Sequence, residues 1–264
     1  MKQALFITAF AGLIGTCALN AHQPDLLATD TASGVSIYIQ KDKPNRDRFY
    51  IGPDMFWTNQ SPQLKGIHIK DESVYYGLKA GFDFLTPGSP YVGGHAQYAV
   101  GRVHIKAEDN KATFYDDKTT GSFSNAELRL GYNLSGADTI FITPFVGAGG
   151  YYVRPFKSIN YTQDWVYAAV GMKAELQISS FFSVGLNVKG TRALFLEHRV
   201  NKNKHSASQS NASKALGYEV SVPITLKTGH AKYWDLRLEP YYTKLNTHND
   251  SNVFGGQLNL SAKF

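Results

Sequence analysis

Residues 139–190 hold three runs in which apolar and polar positions alternate with a period of two. In the first, Ile140, Ile142, Pro144, Val146 and Ala148 share a face opposite Thr143, Gly147 and Gly149. In the second, Val166, Ala168, Val170, Met172, Ala174, Leu176 and Ile178 oppose Gly171, Lys173, Glu175 and Gln177. In the third, Phe182, Val184, Leu186 and Val188 oppose Ser183, Gly185, Asn187 and Lys189, and only Ser179-Ser180 separates it from the run before. A strand sorts this pattern onto two faces, whereas a helix scatters it. The runs exceed the ~5–6 residues usual in soluble strands and approach the ~9–11 that cross a bilayer at a tilt.

Elsewhere the same alternation predicts strands at residues 49–57, 74–84, 91–105, 123–134, 216–226, 234–242 and 253–264. The total is ten, with eight and twelve as the neighbouring counts. The first is broken by Gly52-Pro53, which predicts a bulge or a weakly paired edge, because proline has no ladder donor. Polar loops are expected at residues 58–72, 106–120, 197–214 and 246–251. Tight turns are expected at 86–90, 135–138, 179–180 and 227–232. This alternation of long and short connections is that of a bacterial outer-membrane barrel with both termini in the periplasm. The expected fold is all-β, a single antiparallel up-and-down transmembrane β-barrel over residues 48–264.

A soluble barrel has the same period with its apolar face inward. Here the apolar face carries Trp57, Tyr76, Tyr98, Tyr132, Tyr152, Tyr218, Trp234 and Tyr242 near strand ends, as interfacial girdles do, while the other face mixes glycine with charge. That favours lipid outside and a polar lumen inside. No run offers the ~18 apolar residues of a membrane helix, and the negative mean hydropathy fits a barrel with half of each strand facing a polar interior.

Residues 1–21 read as a secretory signal peptide: Lys2, an apolar stretch, then small residues before a cut after Ala21. The sole cysteine, Cys17, lies in this segment; Thr16 before it makes a poor lipobox, so ordinary cleavage is preferred over a lipid anchor. The remaining chain would carry 26 basic and 21 acidic side chains and no disulfide. Residues 22–47 are polar and turn-rich and read as a periplasmic N-terminal segment.

Thr143-Pro144-Phe145-Val146-Gly147-Ala148-Gly149-Gly150-Tyr151, the hairpin containing residues 170–176 and the terminal Phe264 resemble the bacterial outer-membrane β-barrel proteins of the opacity-protein and small-porin type. The resemblance implies insertion by the barrel assembly machinery, with Phe264 as assembly signal. It implies no activity, since that superfamily holds pores, adhesins, structural barrels and a few lipases and proteases. Its usual small member has eight strands, so ten is a departure.

Glu127, Arg129, Lys173, Glu175, Lys189, Glu219, Asp235, Arg237 and Glu239 fall on the inward face and are expected to pair as a lumen charge network. His198, Arg199, Lys202, Lys204 and His205 form the basic half of the 197–214 loop and are loop binding candidates for phosphates or acidic glycans. His95 beside Gln97 reads as a polar filler. Asp116-Asp117, with His248 and Asp250, could imitate an aspartate–histidine protease site only if two loops met, and no spacing enforces that. No metal-ligand spacing and no cofactor motif occurs. The expectation is a narrow pore or structural barrel in the outer membrane. The alternative is a surface adhesin or ligand-binding barrel acting through its loops, and an enzyme is the least favoured. Expected partners are outer-membrane lipid, lipopolysaccharide and the assembly machinery, not nucleic acid.

Overall fold

The computed structural model describes residues 47–263, apart from 62, 65–66, 110–111, 138, 156–161, 203–204, 211–214, 228–233 and 247–249. The stretch expected to be a signal peptide, most of the expected N-terminal segment and Phe264 therefore lie outside the described residues. The chain forms a closed antiparallel barrel of ten strands. They are β1 (Arg48–Gln60), β2 (Ile67–Phe84), β3 (Pro90–Asp109), β4 (Ala112–Tyr132), β5 (Ile140–Pro155), β6 (Thr162–Gln177) and β7 (Phe182–Lys202). The last three are β8 (Leu216–Ser221 and Ile224–Lys227), β9 (Trp234–Asn246) and β10 (Asp250–Lys263). Each strand pairs with the next in the chain, and β1 closes the ring against β10.

Pro53 does not make β1 an edge. Toward β2 the register runs unbroken through Gly52↔Lys79 and Pro53↔Leu78. Toward β10 it lapses only between Ile51↔Leu260 and Asp54↔Gln257 and resumes without a slip. The missing donor is thus confined to one rung of one side, and long ladders on both flanks hold the strand. At that rung the backbones approach closely, and a Cβ on Gly52 would lie 1.8 Å from the Leu258 carbonyl oxygen. The turn after β2 is closed by Gly88, whose φ of 74° is a left-handed conformation that a side chain disfavours.

The expected faces hold. Leu130, Val170 and Tyr76 point outward at 60%, 64% and 56% exposure, while Glu127 and Asp83 point inward at 1% and 3%. Trp57, Phe254, Tyr242 and Tyr218 form a row of ring contacts on the outside, with centroids 5.9, 4.6 and 5.9 Å apart in turn. Tyr132 and Trp234 mark the opposite border. From Trp234 to Tyr242, β9 runs eight residues, ~26 Å along the strand and roughly 20 Å along an axis inclined by about 40°. A closed barrel with this much contiguous apolar surface outside and its polar groups inside is solvated by hydrocarbon rather than by water.

The strands are longer than the alternation suggested. The supposed loop at 106–120 is the continuation of β3 and β4, paired down to Asp109↔Ala112, and β2 begins at Ile67 rather than Val74. The supposed loop at 197–214 is largely a hairpin, in which β7 pairs with the segment His205–Ser210 from His205↔Lys202 to Ser210↔Glu197. The apolar and polar faces exchange roles beyond the girdle. On β3, Arg102, His104, Lys106 and Glu108 now point outward, and Val103, Ile105 and Ala107 point inward, nearly sealed from solvent. That inversion is what a strand does on leaving hydrocarbon for water, and it disguised these residues as a charged loop.

Candidate functional site

The barrel interior is filled in two tiers. At the end with the tight turns, β1, β2, β4, β6, β7, β8 and β9 direct charge inward. Asp83 accepts from Tyr91 Oη at 2.7 Å and pairs with Arg48 at 3.3 Å and with Lys173 from across the barrel. Arg48 also approaches Glu175 at 3.9 Å. One layer further in, Glu127 accepts from Tyr167 Oη at 2.5 Å and Lys189 Nζ at 2.7 Å and pairs with Arg129. Lys189 continues to Glu219 at 3.0 Å. Glu239 takes Arg237 at 2.7 Å, Ser221 at 2.6 Å, Gln257 at 2.8 Å and Asn187 at 3.0 Å. Arg129 and Lys173 also lie over the rings of Phe145 and Tyr91, at 4.9 and 5.2 Å. Glycines on the inner face leave the tyrosines their space: a Cβ on Gly93 would meet Tyr91 Oη at 2.2 Å, and one on Gly149 would meet Tyr167 Oη at 2.7 Å.

The structure thus places eight of the nine lumen charges in these contacts, some across the barrel and some along a single strand. Asp235 is buried on the same face. The sequence reading omitted Asp83 and Arg48 as network members. The signal existed, because Asp83 alternates in phase with Lys79 and Gly81 on β2, but nothing local told which carboxylate would meet Lys173. His95 is buried and joined to Asn125 Oδ1 at 3.0 Å, beside a cavity of about 90 Å³ that Lys79, Gln97 and Glu219 also line. A second cavity of about 30 Å³ lies near Arg48 and Lys173.

At the hairpin end two apolar clusters fill much of the interior, with Thr58, Gln60, Ser73 and Gln163 buried among them. Phe56, Ile69, Tyr75, Val103, Ile105 and Val153 form one cluster, and Trp165, Tyr167, Leu196 and Leu245 belong to a second, with Tyr151 packed against both. Within the first, on the part of β2 beyond the girdle, Asp71 is 1% exposed. Burial pushes its carboxyl up to about 6, against the lowering effect of the Ser73 hydroxyl bonded to it; Glu72 adds to the rise and His104 opposes it. The folded state therefore favours the protonated acid. The stabilisation is complete below the unfolded value of about 4 and is lost as pH rises through about 6. Protection factors of the Ile69, Val103 and Ile105 amides, taken relative to the intrinsic base-catalysed exchange rate at each pH, are expected to be higher at pH 5 than at pH 7.5, and Asp71→Asn is expected to abolish the difference. Unchanged pH dependence in that variant would assign it to another group.

Of the loop binding candidates, His198, Arg199, Lys202 and His205 lie on the projecting hairpin, and Lys204 lies outside the described residues. Asp116 pairs with His104 at 2.8 Å, side by side on the outer faces of β4 and β3. His248, its sequence-level partner, is outside the described residues.

No protein family matches the sequence, and no curated protein matches it either. Among solved structures, the chain is similar to the outer membrane protease OmpT from Escherichia coli, with a TM-score of 0.57 at 10% identity, over 84% of this chain and 98% of that one. The shared feature is the fold. The transport unit of the autotransporter AIDA-I from Escherichia coli follows at a TM-score of 0.45 and 11% identity, covering 88% and 94%. The attachment invasion locus protein Ail of Yersinia pestis gives 0.37 and 12%, covering 83% and 97%.

Proposed function

We propose that this chain is an outer-membrane barrel that works at the cell surface through its projecting hairpins, with an interior closed to solutes and no catalytic role. The filled lumen carries this reading: among the described residues, two layers of paired charge lie below and two aromatic and aliphatic clusters above, and the spaces between them include cavities of about 90 and 30 Å³. Cavities of this size hold a few waters and are far smaller than an aqueous bore. Of the branches expected from the sequence, this supports the structural and surface-binding ones over the pore. The apolar belt and girdles support the membrane placement, and the motif at residues 143–151 supports kinship with the opacity-protein type. On this reading the short turns face the periplasm and the hairpins face outward. The basic residues of the 198–205 hairpin are then the binding surface for acidic glycans or phosphates.

Recording from refolded protein in planar bilayers tests the closed interior. The expected trace shows no resolvable open-channel steps in high-salt electrolyte, and Arg129→Ala is expected to leave it silent, because the apolar tier still closes the barrel. Steady steps comparable to those of wide porins would restore the pore reading.

A further inference from the structure

The outer face of β4 breaks the apolar pattern at the border of the membrane belt. Thr120, Ser122 and Ser124 follow one another there, and the neighbouring strands raise arginine and tyrosine on both sides of them. Register sets Ser124 between Tyr98 of β3 and Tyr152 of β5, Ser122 between Val100 and Arg154, and Thr120 beside Arg102. Tyr98 is 57% exposed, and Arg102 and Arg154 are both exposed. Neither arginine pairs with a carboxylate among the described residues. The nearest acids on these faces are engaged: Glu72 with Lys70 at 3.0 Å and Asp116 with His104 at 2.8 Å, while Asp164, opposite Tyr152, also has a partner.

Strands lie ~4.8 Å apart and rise ~3.3 Å per residue, so the two arginines, two spacings across and two residues along, stand about 12 Å apart over a floor of side chains too short to fill the gap. Ser122 makes only a long 3.5 Å bond to the Arg154 carbonyl, which leaves its hydroxyl free to serve a ligand. Hydroxyls and unpaired guanidinium groups at the edge of hydrocarbon call for an anionic partner, and a guanidinium fork matches phosphate oxygens two at a time. The tyrosines below would lie along the glycan or upper acyl region of a lipid held there. We propose that this β3–β4–β5 cradle binds the phosphorylated headgroup of an outer-leaflet lipid, with Arg102 and Arg154 clamping the phosphate over the Thr120–Ser122–Ser124 hydroxyls. The inference rests on the outer-membrane reading for its choice of lipid.

The test uses the refolded barrel in detergent with three probes: diphosphorylated lipid A, the same lipid enzymatically dephosphorylated, and inorganic phosphate. Native mass spectrometry is expected to show diphosphorylated lipid A binding roughly tenfold more weakly to Arg102→Gln/Arg154→Gln than to the unaltered protein. Arg102→Lys/Arg154→Lys is expected to fall between, since it keeps the charge without the fork. Dephosphorylated lipid is expected to bind all three equally poorly, and inorganic phosphate is not expected to compete. The outward side chains leave the fold intact, which an unchanged heat-dependent shift in gel migration checks. Equal binding of diphosphorylated lipid to the Gln variant, or displacement by inorganic phosphate at matched concentration, would overturn the proposal. Failure of the outer-membrane reading is separately visible as fractionation of the unaltered protein away from the outer membrane.

Discussion

Replacing Glu127 by alanine is expected to destabilise the barrel by about 3–5 kcal/mol, the cost of removing one partner from a buried ion cluster. Glu127 is 1% exposed and is shared by Lys189, Arg129 and Tyr167. In the variant Lys189 keeps Glu219 at 3.0 Å, but Arg129 is left, among the described residues, with the Phe145 face at 4.9 Å. A guanidinium without a carboxylate inside the barrel carries most of the loss. Glu127→Gln, which can still accept from Tyr167, is expected to lose less. Asp116→Ala removes the exposed His104 pair, with side chains 37% and 53% exposed, and is expected to cost no more than about 1 kcal/mol. Urea titration of protein refolded into lipid vesicles ranks the three. If Glu127→Ala and Asp116→Ala shift the transition alike, water reaches the charge layer and the interior is not closed.

Leu128→Arg is expected to cost about 2–4 kcal/mol, as a cation on the lipid face near mid-bilayer does. Leu128 points outward on β4, paired in register with Gly94 and Ala148, midway between Ser124 in the upper tyrosine row and Tyr132 at the lower border. Asn125→Arg, three residues away, points inward beside the cavity of about 90 Å³. Water and Glu219 on that cavity can solvate a new cation, so its cost is expected to fall well below that of the lipid-facing change. The same vesicle titration compares them, and a larger loss for Asn125→Arg would reverse the assignment of faces.

Much of the fold was legible because a bilayer imposes one rule on every strand. Alternation along β2, β4, β6 and β7 names the outward set, and Trp57, Tyr76, Trp234 and Tyr242 mark its borders. The reading faltered where the rule changes sign. On β3, Val103, Ile105 and Ala107 keep the phase of His95 and Gln97, but the apolar residues now face inward and the charges outward. Read by charge density alone, the stretch looks like a loop, and β4 and β7 were cut short for the same reason. Pro53 misled in the other direction, since its local penalty is one donor and the closed ring supplies all the other rungs.

The sequence by itself determined that the chain is an antiparallel barrel, how many strands it has and which side chains look outward, because period and hydropathy are local properties that survive without knowledge of partners. It placed Glu127, Lys173, Lys189 and Glu239 in the interior for the same reason. Only the tertiary structure decided that Lys173 meets Asp83 from four strands away, that Glu127 holds two cations, and that aromatic clusters close the hairpin end. It also brought Arg102 and Arg154 to the two sides of one hydroxyl track. Such pairings depend on register and on the stagger around the ring, which join residues far apart in sequence and leave no trace in the pattern along any one strand.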